Sequence, residues 1–241
     1  MNRQIESIMK RFLIIIATLV ATATLATAQP EAHSFSIIPR LGVTIAKITG
    51  DNVYPSGSGT DFANASSPKY KPGLMAGFDL EYQITNKLAA SVGAYYSRQG
   101  EKYDDLTESH DHSTKAWKEV RDWKQHHDYI NVPLTAIVYV AHNLAFRTGV
   151  QLGFNTSAKS EYTVASFSRN TSGEASTESV EKIKSDVDVK KFDVAIPIGI
   201  SYEYMNVILD ARYNIGLTRV YDELEGRNSV FSFNVGYRFK L

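Results

Sequence analysis

Three groups of residues in this 241-residue chain are of types that could do chemistry. The first is a run of carboxylates and imidazoles: Asp104, Asp105, Glu108, His110, Asp111 and His112, then His126, His127 and Asp128. Acyl transfer needs a nucleophile, a base and an orienting carboxylate in one small volume. Serine and histidine supply the types, but no G-x-S-x-G or comparable motif marks a nucleophile, and no catalytic residue is assigned. His110-x-His112 with its neighbouring carboxylates could hold a divalent cation. A solvated polar loop accounts for the same residues, so neither a metal nor a cofactor is assigned. Cysteine is absent, which excludes a thiol nucleophile, a thiolate metal site, a disulfide scaffold and a lipidated N-terminal Cys.

The second group sets basic against acidic residues at alternate positions: Arg40, Arg147, Arg212, Arg238 and Lys240 against Asp79, Glu81, Glu203 and Asp210. The third is Trp117, Arg121 and Trp123, which brings both tryptophans of the chain into one segment with Lys115, Lys118 and Lys124. Exposed Trp with Arg is the composition of a binding hot spot. Trp lying against lipid headgroups at a membrane interface is the equal alternative.

The elements that must position these groups begin after an export signal. Arg3, Lys10 and Arg11 precede the apolar run Phe12 to Val20, and small residues end at Ala26-Thr27-Ala28, the form of a signal-peptidase site. Cleavage is expected near Ala28, with translation starting at Met1 or Met9. An anchor helix would need about 20 apolar residues, and this run dissolves into Thr and Ala after Val20. Loss of residues 1–28 leaves 23 basic residues against 25 acidic. So even a balance, like the 26 against 26 of the whole chain, offers no basic surface to nucleic acid and no acidic disordered tail.

Beyond the signal, charges, Gly or Pro interrupt every apolar run, and a slightly negative mean hydropathy suggests an ordinary soluble protein. The alternation says otherwise. Leu74, Ala76, Phe78, Leu80, Tyr82 and Ile84 fall in one phase, with Met75, Gly77, Asp79, Glu81 and Gln83 in the other. Phe192 to Tyr204 and Phe231 to Leu241 repeat the pattern, the sign of strands with two unlike faces. Eight strands follow: Ser36 to Ile48, Lys71 to Ile84, Lys87 to Gly100, His126 to Val140, Asn143 to Lys159, Val187 to Tyr204, Asn206 to Thr218 and Asn228 to Lys240. Long polar connections (Thr49 to Tyr70, Glu101 to Gln125, Ser160 to Asp186, Arg219 to Arg227) alternate with tight ones at Thr85-Asn86, Ala141-His142 and Met205. Strands of this length with alternating long and short connections predict an all-β fold: an eight-stranded antiparallel up-and-down transmembrane β-barrel over residues 29–241.

The rival is a soluble eight-stranded barrel whose apolar phase faces inward. Glycine discriminates. Nine of the 15 glycines lie within strands (Gly42, Gly73, Gly77, Gly93, Gly149, Gly153, Gly199, Gly216, Gly236), all in the polar phase. In a membrane barrel that phase faces a lumen barely wide enough for side chains, where small residues relieve crowding. Two aromatic girdles fit the strand ends: Tyr82, Tyr202, Tyr204, Tyr237 and Phe239 on the periplasmic side, and Tyr96, Tyr129, Phe154, Phe192 and Phe231 on the outer side. Pro133 and Pro197 in the inward phase predict a bulge or a locally broken strand pair. Ser166 to Ser179 reads as flexible, and the sequons at Asn64 and Asn170 carry little meaning in a bacterial envelope.

The tracts Asp128 to Val140, Arg147 to Asn155, Leu209 to Leu217 and Phe231 to Leu241 resemble the PorT-like outer membrane β-barrel (porin) family. The Val-Pro-Leu element at Val132 to Leu134 and the Arg-Tyr-Asn-x-Gly-Leu element from Arg212 carry most of that likeness. The terminal Leu241 departs from the aromatic residue with which barrel-assembly signals often end. The resemblance implies a Gram-negative cell outer membrane and dealings with its lipids and barrel-assembly machinery, but no single activity. The opposed charges Arg40, Asp79, Glu81, Arg147, Glu203, Asp210, Arg212 and Arg238 predict an ion-pair network that plugs the lumen, since unpaired charges there would be costly. A monomeric, non-enzymatic barrel acting through its extracellular loops is expected, in adhesion, envelope structure or secretion-associated assembly, with a protein partner at those loops. A small-solute channel and a lipid-modifying enzyme are the alternatives.

Overall fold

A computed structural model describes residues 31–50, 68–107, 116–169, 175–222 and 225–241. In chain order the strands are β1 (Phe35–Thr49), β2 (Lys69–Thr85), β3 (Leu88–Gln99), β4 (Glu101–Lys102), β5 (Leu106–Thr107), β6 (Ala116–Ala141), β7 (Leu144–Arg169), β8 (Ala175–Asp186), β9 (Phe192–Tyr204), β10 (Val207–Gly216), β11 (Arg227–Tyr237) and β12 (Phe239–Lys240). Eight of them close into a ring in which each is antiparallel to the next: β1, β2, β3, β6, β7, β9, β10 and β11. The closing seam runs from Arg40↔Gly236 to Thr49↔Arg227, and β12 extends it through Ser36↔Lys240 and Ile37↔Phe239. Joined edges leave no row of unsatisfied backbone groups facing lipid, the condition for strands to cross a bilayer at all.

Tight turns at Asn86-Lys87, His142-Asn143 and Met205-Asn206 join strands at one end. In the last, φ is 47° at Met205 and 66° at Asn206. Two consecutive positive values make the turn whose twist matches the flanking strands.

The apolar phase points outward. Leu41 is 70% exposed and Leu74 68%, whereas Asp79 is 1% exposed. A soluble barrel would reverse this arrangement, so the structure carries its polar core inside and its apolar surface outside. Rings border the apolar band at both ends. Phe35 lies 4.6 Å from Tyr82 and Tyr237 lies 4.9 Å from Phe239 at the turn end, with Tyr213 stacked on Phe231 at 4.4 Å and Phe154 beside Phe192 at 5.5 Å at the other. Tyr129, expected in the outer girdle, is instead buried in the lumen, where the Asn228 amide donates to its hydroxyl at 3.3 Å. Phase and not nearness to the strand end selects the face, and Ile130 takes the outward position.

Glycine makes room inside. A Cβ on Gly93 would stand 2.4 Å from Asp79 Oδ1 and 2.6 Å from the Tyr95 ring, and one on Gly236 would stand 2.8 Å from Arg40 Cγ. Only a residue without a side chain permits such approaches. Pro133 and Pro197 both point inward, and beside each the ladder opens on one side without a change of register. Pairing of β3 with β6 skips from Val92↔Leu134 to Tyr95↔Asn131, and pairing of β7 with β9 skips from Thr148↔Ile198 to Gln151↔Ala195. A proline nitrogen has no proton to donate, which breaks the pair locally and forms no bulge.

Two expected loops are largely sheet. β6 begins at Ala116 and β7 runs to Arg169, so β6, β7 and β8 project beyond the apolar band with β4 and β5 against β6. Outside the bilayer neither face meets lipid, so the apolar alternation disappears while the hydrogen-bonded ladder continues. The same correction takes in part of the stretch read as flexible, since Ser166–Arg169 belongs to β7 and Ala175–Ser179 to β8. Residues 187–191, expected in a strand, precede β9 instead. The signal segment, Glu108, His110, Asp111, His112, Lys115, Asn64 and Asn170 lie outside the described residues.

The outward position of Leu41 supports a quantitative test. Leu41→Arg is expected to destabilise the barrel by about 2–4 kcal/mol in lipid vesicles, as for a charge near the bilayer midplane. A cost within about 0.5 kcal/mol, usual for a water-facing site, would contradict the lipid-facing assignment. Urea unfolding followed by electrophoretic heat-modifiability reads the difference.

Candidate functional site

The barrel interior brings together four guanidinium groups and four carboxylates. Arg40 stands on β1, Asp79 and Glu81 on β2, Arg147 on β7, Glu203 on β9, Asp210 and Arg212 on β10, and Arg238 between β11 and β12. Asp79 is the hub, with Arg40 at 2.9 Å, Arg147 at 3.3 Å and Arg212 at 3.4 Å. Arg147 also holds Glu81 at 2.5 Å, and Arg212 holds Asp210 at 2.6 Å. Toward the turn end, Arg238 bridges Glu81 at 2.8 Å and Glu203 at 2.9 Å, and donates to the Tyr139 hydroxyl at 3.3 Å. All eight side chains are nearly or fully buried. Lys240, in the same inward phase, is exposed at the rim and outside this set. Above the network a polar cavity of about 20 Å³ is lined by Thr44, Tyr95, Asn131 and Arg212 among others, space for roughly one water molecule.

The mouth holds a second buried cluster, at and above the level where Arg98 pairs with Asp128 at 2.8 Å on the outer surface and the apolar band ends. Glu101 is fully buried. Tyr103 donates to its Oε1 at 3.2 Å, and Tyr221 Oη lies 3.3 Å from the same oxygen while donating to Gln125 Oε1 at 2.8 Å. His127 Nε2 lies 3.3 Å from Gln125 Oε1. Ile48, Ala158, Val189, Val220 and Tyr221 form a buried apolar cluster at this end. Burial pushes the Glu101 carboxyl up to about 7, opposed by the two tyrosine hydroxyls and by Lys71. The same burial, with Lys71 adding to it, pushes the His127 imidazole down to about 3, so it is neutral.

This cluster is absent from the sequence expectations. Gly100, at φ 119°, breaks the strand just before Glu101, so its phase could not be carried over from β3. The apolar pair Val220-Tyr221 in the connection Arg219 to Arg227 is a signal that could have pointed here.

His126, His127 and Asp128 do not converge. His127 faces the lumen, while His126 lies on the opposite face of β6 and Asp128 is held by Arg98. Asp104 pairs with Lys69 at 2.5 Å, and Asp105 accepts from the Asp122 backbone N–H at 2.9 Å. Among the described residues no group of three or more His, Cys, Asp or Glu could hold a metal ion.

Trp117, Arg121 and Trp123 are likewise divided. Trp117 stacks on Phe167 at 5.2 Å, Arg121 lies 5.5 Å over the same ring, and both contact Glu119. Trp123, expected among exposed contacts, is buried, stacked on Tyr103 at 4.4 Å with its indole donating to Ser160 at 3.0 Å. The β6–β7 register shifts between Arg121 and Lys124, where Asp122 has φ 54°. Such a bulge reverses the phase, so odd-numbered residues face outward before it and inward after it.

Asp79→Ala would leave three buried guanidinium groups short of their shared partner, at an expected cost of about 3–5 kcal/mol. Urea unfolding in vesicles measures it, and a change below about 1 kcal/mol would show that the network contributes little. Glu101 supports a pH test. Its carboxyl holds the proton more tightly in the closed mouth than in solvent, so the closed packing weakens as pH rises from 4.5 through about 7. In a Trp117→Phe background, Trp123 emission should shift to the red over that range, and Glu101→Gln should abolish the shift. Emission that does not change with pH before the Gln substitution would refute the coupling.

Residues 27–222 match the family model described as outer membrane protein beta-barrel domain. Among solved structures, the chain is similar to Ail, the attachment invasion locus protein of Yersinia pestis, at 14% identity over 86% of this chain and 99% of that one, with a TM-score of 0.39. It is also similar to Neisserial surface protein A, at 17% identity over 85% and 97%, with a TM-score of 0.38. No curated protein matches the chain. The match over most of its length, on a closed ring of strands with an apolar exterior, means that the chain belongs to the outer membrane protein beta-barrel domain family and resides in the cell outer membrane.

Proposed function

We propose that the protein is a monomeric, non-enzymatic barrel with a plugged lumen that acts through its extracellular face, in adhesion, envelope structure or secretion-associated assembly. The observation that carries this reading is the connected ion-pair set centred on Asp79, which draws side chains from β1, β2, β7 and β10 into the middle of the lumen. Arg238, Glu81 and Glu203 extend it toward the turn end. Paired charges in a narrow lumen hold one another in place, and a permeant ion would have to break several contacts at once. At the mouth, Glu101, Tyr103 and Tyr221 lie with the apolar cluster of Ile48 and Val220 across the same axis.

The resemblance of the tracts around Val132-Pro133-Leu134 and Arg212 to Leu217 supports a PorT-like role among the three named. Export by a signal cleaved near Ala28 rests on Ala26-Thr27-Ala28, and the projecting sheet with Trp117, Arg121 and Phe167 is the surface offered to a protein partner.

Purified, folded protein in planar bilayers is expected to add no conductance to that of protein-free membranes. Steady conductance well above that background would overturn the plug and favour a small-solute channel.

A further inference from the structure

Where the apolar band ends, the outward face of β10, β11, β1 and β2 carries a cluster of rings and cations. Tyr213 stacks on Phe231 at 4.4 Å, and Tyr70 lies 6.1 Å from the same ring. Lys47 Nζ lies 4.8 Å over the Tyr70 ring. Register brings Arg227 to this face: Lys47 stands opposite Ser229 and Thr49 opposite Arg227, so the two cations are diagonal neighbours within reach of long side chains. Tyr213 Oη and Ser229 Oγ lie 2.9 Å apart. One proton joins those hydroxyls and the other is left for a further acceptor.

The charge on this face has one sign. From Phe35 to Thr49, Tyr70 to Ile84, Val207 to Ile215 and Arg227 to Tyr237, the outward positions include Lys47, Arg227 and no carboxylate. No carboxylate among the described residues pairs with either cation. Glu225, two residues before Arg227, is taken by Arg219 at 2.5 Å. Elsewhere on the rim Arg98 is held by Asp128 at 2.8 Å and Lys190 by Asp222 at 3.1 Å.

Depth selects the class of partner. Ile45, one outward position below Lys47, is exposed, and Val43, Leu41, Phe233 and Val235 continue the lipid-facing strip. Tyrosines at the edge of such a strip sit at headgroup level, so what meets Lys47 and Arg227 is a headgroup whose chains lie along the strip. A free anion would leave the strip unused, and a soluble protein would have to displace lipid to reach it. Among headgroups, two unmatched cations favour the phosphate of an anionic lipid over a sugar or a zwitterion.

We propose that Lys47 and Arg227, with the hydroxyls of Tyr213 and Ser229, bind the phosphate of an anionic lipid of the outer leaflet, its acyl chains lying along Ile45, Val43 and Phe233. The proposal goes beyond the extracellular role above and stands whether or not the lumen is plugged.

The test uses the full chain folded in nanodiscs of phosphatidylcholine with a minor share of phosphatidic acid, and counts the lipids retained after mild extraction by native mass spectrometry. The wild-type chain should retain phosphatidic acid in preference to phosphatidylcholine. Lys47→Gln and Arg227→Gln should each lower that preference about fivefold, as for one cation near a charged lipid surface. Lys47→Arg should keep it, and Lys184→Gln, on the projecting sheet, should leave it unchanged, with heat-modifiable mobility the same in all four. No preference in the wild type, losses no greater than that of Lys184→Gln, or no rescue by Lys47→Arg would each overturn the proposal. Equally tight binding of inorganic phosphate to the chain in detergent, with the same dependence on Lys47 and Arg227, would also overturn it, since the pair would then serve a free anion.

Discussion

The structure depends on what it costs to enclose charge in a narrow lumen surrounded by lipid. A barrel of eight strands has room inside only for side chains, and each ionised group there must find a partner or destabilise the fold by several kcal/mol. Asp79 meets this requirement for three arginines at once, and Arg238 for two carboxylates. Within this set four positive groups face four negative ones, so the network is neutral as a unit. The charges are therefore packed against one another as part of the core.

Neutral packing of such long side chains demands space, and the glycines supply it. Gly93 lies where a Cβ would strike Asp79 and Tyr95, and Gly236 where one would strike Arg40. The lumen is thus built from complementary extremes, arginine beside glycine. The outer surface is built from Leu, Val, Ile and Phe turned toward the bilayer. An exposed Leu41 would be a liability in water and is a requirement in lipid.

Beyond the bilayer the logic changes while the ladder persists. β6 and β7 continue upward, and β8 joins them after the wall has ended. Two irregularities decide what this projection displays. The bulge at Asp122 turns Trp123 inward to Tyr103 and Ser160 while leaving Trp117 and Arg121 outside on Phe167. The break at Gly100 sends Glu101 into the mouth beside Tyr221.

Period-two alternation, the phase of the glycines and the opposed charges Arg40, Arg147, Arg212 and Arg238 against Asp79, Glu81, Glu203 and Asp210 are local properties. A strand sends alternate residues to opposite faces wherever it lies, so the sequence by itself determined the transmembrane barrel, its eight strands and the inward phase of those eight charges. Partner choice inside the lumen was not determined there, because Asp79 and Arg212 are 133 residues apart and meet only when ring closure and register place β2 and β10 across one lumen. Nor were the phase reversals at Gly100 and Asp122, or the sheet above the membrane, since a single bulge inverts a pattern and the absence of lipid erases it. Those features were decided by the tertiary structure, through strand pairings that no local pattern encodes.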